Sequence, residues 1–154
     1  MTKKNLRTRI LIILFSVIGL SPFLYVGFQM SPGSYSKAEM YEINIAEDSL
    51  IKKIEDFKNL NPQYKVPETD RFQDKRRSYY YHIYLYYPKE KRIVHTWTRG
   101  NKRVSTLAFV ATWSINSINE NYKEANENFW WWKNRDEKLL FEERIFNKLG
   151  LKRE

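Results

Sequence analysis

The stretch SYYYHIYLYYPKEKRIVHTWTRGNKRVSTLAFVATWSI, residues 78–115, decides the fold. Its three segments, Ser78–Tyr87, Arg92–Arg99 and Val104–Ile115, are dense in aromatic and β-branched side chains, which suit the pleated, half-buried surface of a strand. Pro88 to Lys91 reads as a four-residue turn and Gly100-Asn101 as a two-residue hairpin signal. Connections this short join antiparallel neighbours, because a parallel pair needs a long crossover.

These turns predict registers that set His82 opposite Trp97, Tyr84 opposite His95 and Trp97 opposite Val104. The sheet then has two unlike faces. One carries Tyr81, Ile83, Leu85, Val94, Leu107, Phe109, Ala111 and Trp113, a core face for helices. The other carries Tyr80, His82, Tyr84, Tyr86, Ile93, His95, Trp97, Thr106 and Val110.

Working outward, Tyr41, Ile43 and Ile45 alternate with polar residues as in a short strand. A helix follows, with Asp48 or Ser49 as N-cap, Leu50, Ile51, Ile54, Phe57 and Leu60 at helical spacing, and Asn61-Pro62 as its stop. Residues 62–77 read as a loop. On the C-terminal side a helix is predicted over 136–149, with Phe141, Ile145 and Leu149 on one stripe and Gly150 just past its end. The order β-α-β-β-β-α describes a two-layer α+β domain, an antiparallel sheet with helices on one face.

Before this domain, Ile10 to Phe28 runs for nineteen residues without a charge. As a helix rising ~1.5 Å per residue it matches a hydrocarbon core of ~30 Å. Lys3, Lys4, Arg7 and Arg9 precede it, and no acid occurs before Glu39. That asymmetry predicts a single-pass signal-anchor with the N-terminus cytoplasmic and the C-terminal domain extracytoplasmic, in the periplasm or outside the cell. A cleaved leader is the competing reading, but residues 25–29 offer no small-x-small site. The layout is then 1–9 basic leader, 10–28 transmembrane anchor, 29–37 tether and 38–154 α+β domain.

Composition narrows the function classes. The chain of 154 residues has no cysteine, which excludes disulfides, thiolate metal sites and thiol nucleophiles. Net charge is +9, four cations of which belong to the leader, and a mildly basic remainder is no nucleic-acid-binding extreme. Two histidines, His82 and His95, make at best half a zinc site, so neither a metal nor a cofactor is expected.

Three groups are candidate contact surfaces. Tyr80, His82, Tyr84, Tyr86, His95 and Trp97 form an aromatic sheet face, suited to binding a ligand or partner unless residues 62–77 or 116–133 cover it. Lys75, Arg76, Arg77, Arg99, Lys102 and Arg103 should gather at one sheet end, able to hold an anion, a lipid headgroup or an acidic protein. Trp130, Trp131 and Trp132 follow Phe129 and cannot all face one core, which suggests an interfacial role. The reading is a membrane-anchored binding protein, with protein and bilayer but no nucleic acid as partners; a protective or inhibitory factor is one form of it. The alternative is a small extracytoplasmic hydrolase or transferase with its site around His82 and His95.

Overall fold

A computed structural model describes Ser16, Gly19 and residues 35–67, 72–117 and 120–152. Residues 1–36 and 37–154 form two separate compact units. In the second, β1 (Glu39–Ile43) buries Tyr41 and Ile43 and exposes Met40 and Glu42, the alternation of a strand with one wet face. The others are β2 (Lys75–Arg77), β3 (Tyr80–Tyr87), β4 (Arg92–Gly100), β5 (Ser105–Ser114) and β6 (Lys123–Glu124). Every pairing is antiparallel, in the order β1-β5-β4-β3-β2, with β6 also on β5. The mixed α/β class with an antiparallel sheet agrees with the sequence reading, to which the structure adds the two short strands β2 and β6.

The turn at Pro88 gives the expected register, His82 opposite Trp97 and Tyr84 opposite His95. At Gly100 the register differs. Gly100 pairs with Ser105 and Trp97 with Ala108 rather than Val104, because Asn101 to Val104 form a four-residue loop. The Asn101 side chain explains the longer loop: its Oδ1 accepts from the backbone N–H of Arg103 and Val104, while the Asn101 backbone N–H donates to the Val104 carbonyl. Gly100 is needed there, since a Cβ would stand 2.6 Å from the Ser105 Cα and the Val104 oxygen.

A second departure comes from a β-bulge. His95 pairs with Ala111 but Thr96 with Phe109, which leaves Val110 as the extra residue. Its carbonyl accepts from Ala125 N–H at 2.9 Å, so β1 and β6 share one edge of β5 on either side of the bulge. Because side chains alternate, one inserted residue moves Ala111 and Trp113 off the predicted core face and onto the face of His95.

Helix α1 (Glu47–Leu60) buries Leu50, Ile54 and Phe57 and leaves Leu60 exposed. Ala46 rather than Asp48 or Ser49 is the N-cap; Glu47 and Asp48 lie in the first turn, where their charge suits the helix dipole. The last helix, α2 (Arg135–Phe141), continues as a π-helical turn over Glu142–Phe146, and the predicted stripe of Phe141, Ile145 and Leu149 is buried. Gly150 has φ of 62°, the left-handed conformation its place after the helix requires.

Both helices pack with Tyr41, Ile43, Ile83, Leu85, Tyr87, Val94, Leu107 and Phe109 in one core. Phe109 lies flat on Phe141, ring centroids 4.8 Å apart and 6° from parallel. Each such side chain contributes roughly 1.5–3 kcal/mol by leaving water. Ion pairs from Lys138 to Glu39 at 3.1 Å and Arg92 to Glu137 at 3.0 Å lock α2 to β1 and β4. No helix among the described residues is long and apolar enough to cross a membrane; the span expected over 10–28 lies outside the described residues except for Ser16 and Gly19.

Candidate functional site

Strands β3 and β4 bring Tyr80, His82, Tyr84, Tyr86, Ile93, His95 and Trp97 to one face, and the bulge adds Trp113. His82 and His95 stack, with His82 Nδ1 2.9 Å from His95 Nε2, so one ring donates to the other. Tyr84 also stacks on His95, ring centroids 4.9 Å apart. The face is covered: His82, Tyr84, His95, Trp97 and Trp113 are all buried, while Tyr80 and Tyr86 are half-buried. Phe72, from the 62–77 stretch, packs on Tyr84 and Trp113 at 5.5 and 5.6 Å, and Tyr122 stacks on Trp113 at 6.1 Å.

Burial sets the histidine chemistry. It pushes the His95 imidazolium down to about 3, with His82 and Arg77 adding to the effect. Burial also lowers His82, again with help from Arg77. The pair is therefore neutral at pH 7. Among the described residues, no group of three or more His, Cys, Asp or Glu could hold a metal ion.

Beside this face lies a pair that sequence reading missed. Lys58 is buried and its Nζ is 2.5 Å from Asp74 Oδ2, while Asp74 Oδ1 accepts from Tyr84 N–H at 2.9 Å. Burial lowers the Lys58 ammonium against the opposing pull of Asp74. The two line a cleft of about 430 Å³ with Glu55, Lys65, Phe72 and Tyr84. Its signal was in the helix: Leu50, Ile54 and Lys58 are spaced by four, so a lysine occupies the apolar stripe and needs an acid. A cleft of about 610 Å³ between Ile43, Lys52, Asp56 and Leu151 holds none of the candidate residues.

The six cations are exposed at one sheet end. Arg77 pairs with Tyr80 in the β2–β3 register, and the Arg99 guanidinium sits over the Tyr80 ring at 5.7 Å. Arg76 turns to the other face, over Tyr81 and 3.0 Å from Glu47. Lys102 and Arg103 ride on the Asn101 loop. A short basic strand such as β2 also protects a sheet edge from unwanted pairing.

Phe129, Trp130, Trp131 and Trp132 are 68%, 51%, 67% and 51% exposed. The loop is nonetheless fixed. At its base Asn134, buried, donates from Nδ2 to the Asn128 carbonyl at 2.8 Å and accepts from Asn128 N–H at 2.9 Å. Trp130 and Trp132 stack at 4.9 Å above this clamp. Compared with known proteins, the chain matches no family model, no curated protein and no solved structure.

Proposed function

We propose that this chain is a membrane-anchored binding protein that holds its α+β domain outside the membrane and meets an acidic protein through the basic end of its sheet. Residues 10–28 are the single-pass anchor, with residues 1–9 on the cytoplasmic side. The uncharged length of that segment and its four preceding cations support this topology.

The observation that carries the binding reading is the gathering of two exposed arginines at one ring: Arg77 is the strand partner of Tyr80, and Arg99 stands over the Tyr80 ring. Two exposed arginines beside one ring offer planar forks to carboxylates in a way lysines do not. Lys75, Lys102 and Arg103 extend the positive field and speed encounter with an acidic partner. Position supports it too. β1 opens at Glu39, two residues after Lys37, and ends at Ile43 beside the Asn101 loop, so the cations lie at the end of β1 away from Lys37. A protein that neutralises an incoming acidic factor, in a protective or inhibitory role, fits this arrangement.

A hydrolase or transferase centred on His82 and His95 would need a ring nitrogen open to substrate, and both rings are buried. The test is affinity capture with the detergent-solubilised full chain. A specific partner should be retained at 0.1 M salt and lost toward 1 M, where the screening length falls from ~10 Å to ~3 Å. The double variant Arg77→Glu/Arg99→Glu should fail to retain it while unfolding at the parent temperature. Retention undiminished by both treatments would overturn the basic end as the contact surface.

A further inference from the structure

The exposed aromatic run needs an occupant, and its place in the fold names one. The domain begins at Lys37, whose carbonyl accepts from Asn126 N–H at 3.0 Å and whose Nζ is 2.6 Å from Glu124. Three residues beyond Asn126 the Phe129–Trp132 run begins. The run therefore stands at the end of the domain where the tether arrives.

We infer that Phe129–Trp132 is an interfacial foot that inserts into the lipid headgroup layer. Residues 29–37 span at most roughly 30 Å even fully extended, so a domain tethered through them stays within reach of the bilayer. Tryptophan is the side chain best matched to that layer, with an apolar body for the acyl boundary and an N–H for the wet side. Lys133 and Arg135, both exposed, follow the run and suit phosphate groups, while the exposed Glu127 precedes it and Asp136 follows Arg135.

Rigidity strengthens the case. A run of exposed aromatics on a slack loop would collapse onto the domain; here the Asn128–Asn134 clamp and the short helical turn Trp131–Asn134 hold it out. With the clamp in place all four aromatic side chains are at least half exposed, so the run is presented outward. A foot at this end would also aim the basic sheet end away from the membrane. The inference depends on the anchor over 10–28 but not on the acidic partner.

The test uses the full chain reconstituted into vesicles of phosphatidylcholine brominated at shallow acyl positions. Bromine quenches tryptophan only on near contact, and three of the five tryptophans lie in the run. About half of the emission should be lost on the interfacial reading, more with shallow than with deep bromine. The variant Trp130→Phe/Trp131→Phe/Trp132→Phe, emitting only from Trp97 and Trp113, should lose the lipid-dependent quenching. Its thermal unfolding in detergent establishes that it is folded. If it is not, the parent's acrylamide quenching in detergent and in vesicles replaces it, with protection in vesicles expected. Flotation with vesicles but no quenching, or undiminished access to acrylamide, would overturn the foot and leave the run facing water or protein. Failure of the parent to float would overturn the anchor, and the foot with it.

Discussion

At the scale of single residues, the histidine pair is a stability device with a defined pH window. A histidine whose folded pKa lies below its unfolded value binds its proton more readily once unfolded, so acid favours unfolding. Stability from the neutral His95 is fully present above its ordinary value near 6.5 and is lost as pH falls toward about 3. The expected loss for His95 is roughly 2 kcal/mol by pH 5, and the lowered His82 acts in the same direction. Denaturant unfolding at pH 7 and pH 5 measures it, and His95→Gln should flatten the difference. An equal pH slope in parent and variant would remove His95 as the cause. Lys58 illustrates the same physics in a cation: burial costs it charge stability, and Asp74 offsets that cost while also tying the Phe72 segment to β3 through Tyr84. Removing the acid alone, as Asp74→Ala, should destabilise by about 3–5 kcal/mol, because it strands a buried ammonium. Lys58→Met/Asp74→Ala should recover part of that loss, and a double variant no more stable than Asp74→Ala would deny that the stranded charge is its source.

At the scale of elements, what was legible depended on whether a signal was local. The helix stripe Leu50, Ile54 and Phe57, the stripe Phe141, Ile145 and Leu149, and the Pro88 turn follow local signals that a sequence displays, and each is found, although Ile51 is only half-buried and Leu60 is exposed. The Gly100 hairpin was legible as a turn but not in length, since its loop depends on which backbone groups the Asn101 amide reaches in space. The bulge at Val110 has no sequence signature at all. It follows from pairing with β4 on one side and the β1/β6 junction on the other, and it carries Trp113 across the sheet. The candidate face was thus assembled correctly from β3 and β4, while its lid of Phe72 and Tyr122 came from segments with no periodicity. Two substitutions probe these elements. Phe109→Ala, opposite Phe141, should cost about 3–5 kcal/mol. Gly100→Ala should cost about 1–3 kcal/mol through the backbone clash it creates. Chemical denaturation midpoints read both; a Gly100→Ala protein as stable as the parent would show that the loop opens freely.

At the scale of the whole molecule, two surfaces of the domain are set apart: the aromatic run follows the segment bonded to Lys37, and the basic end lies by the Asn101 loop at the other end of β1. A surface that must meet an outside partner gains from being held away from a bilayer whose anionic headgroups would otherwise compete for its arginines. The proposed role has meaning only if the domain lies outside, and the absence of cysteine makes that directly measurable. A thiol placed at Thr2→Cys reports the leader; one at Gln63→Cys, exposed on the Pro62–Tyr64 turn, reports the domain without touching a proposed contact surface. With a membrane-impermeant maleimide on intact cells, Gln63→Cys should label fully and Thr2→Cys only after lysis, because the cations of the leader resist translocation. Carbonate extraction should leave both proteins in the membrane pellet at full length. The opposite labelling pattern would turn the domain to the cytoplasm. A shorter, extractable Gln63→Cys product lacking the hydrophobic segment would replace the anchor with a cleaved leader, removing the tether on which the aromatic foot depends.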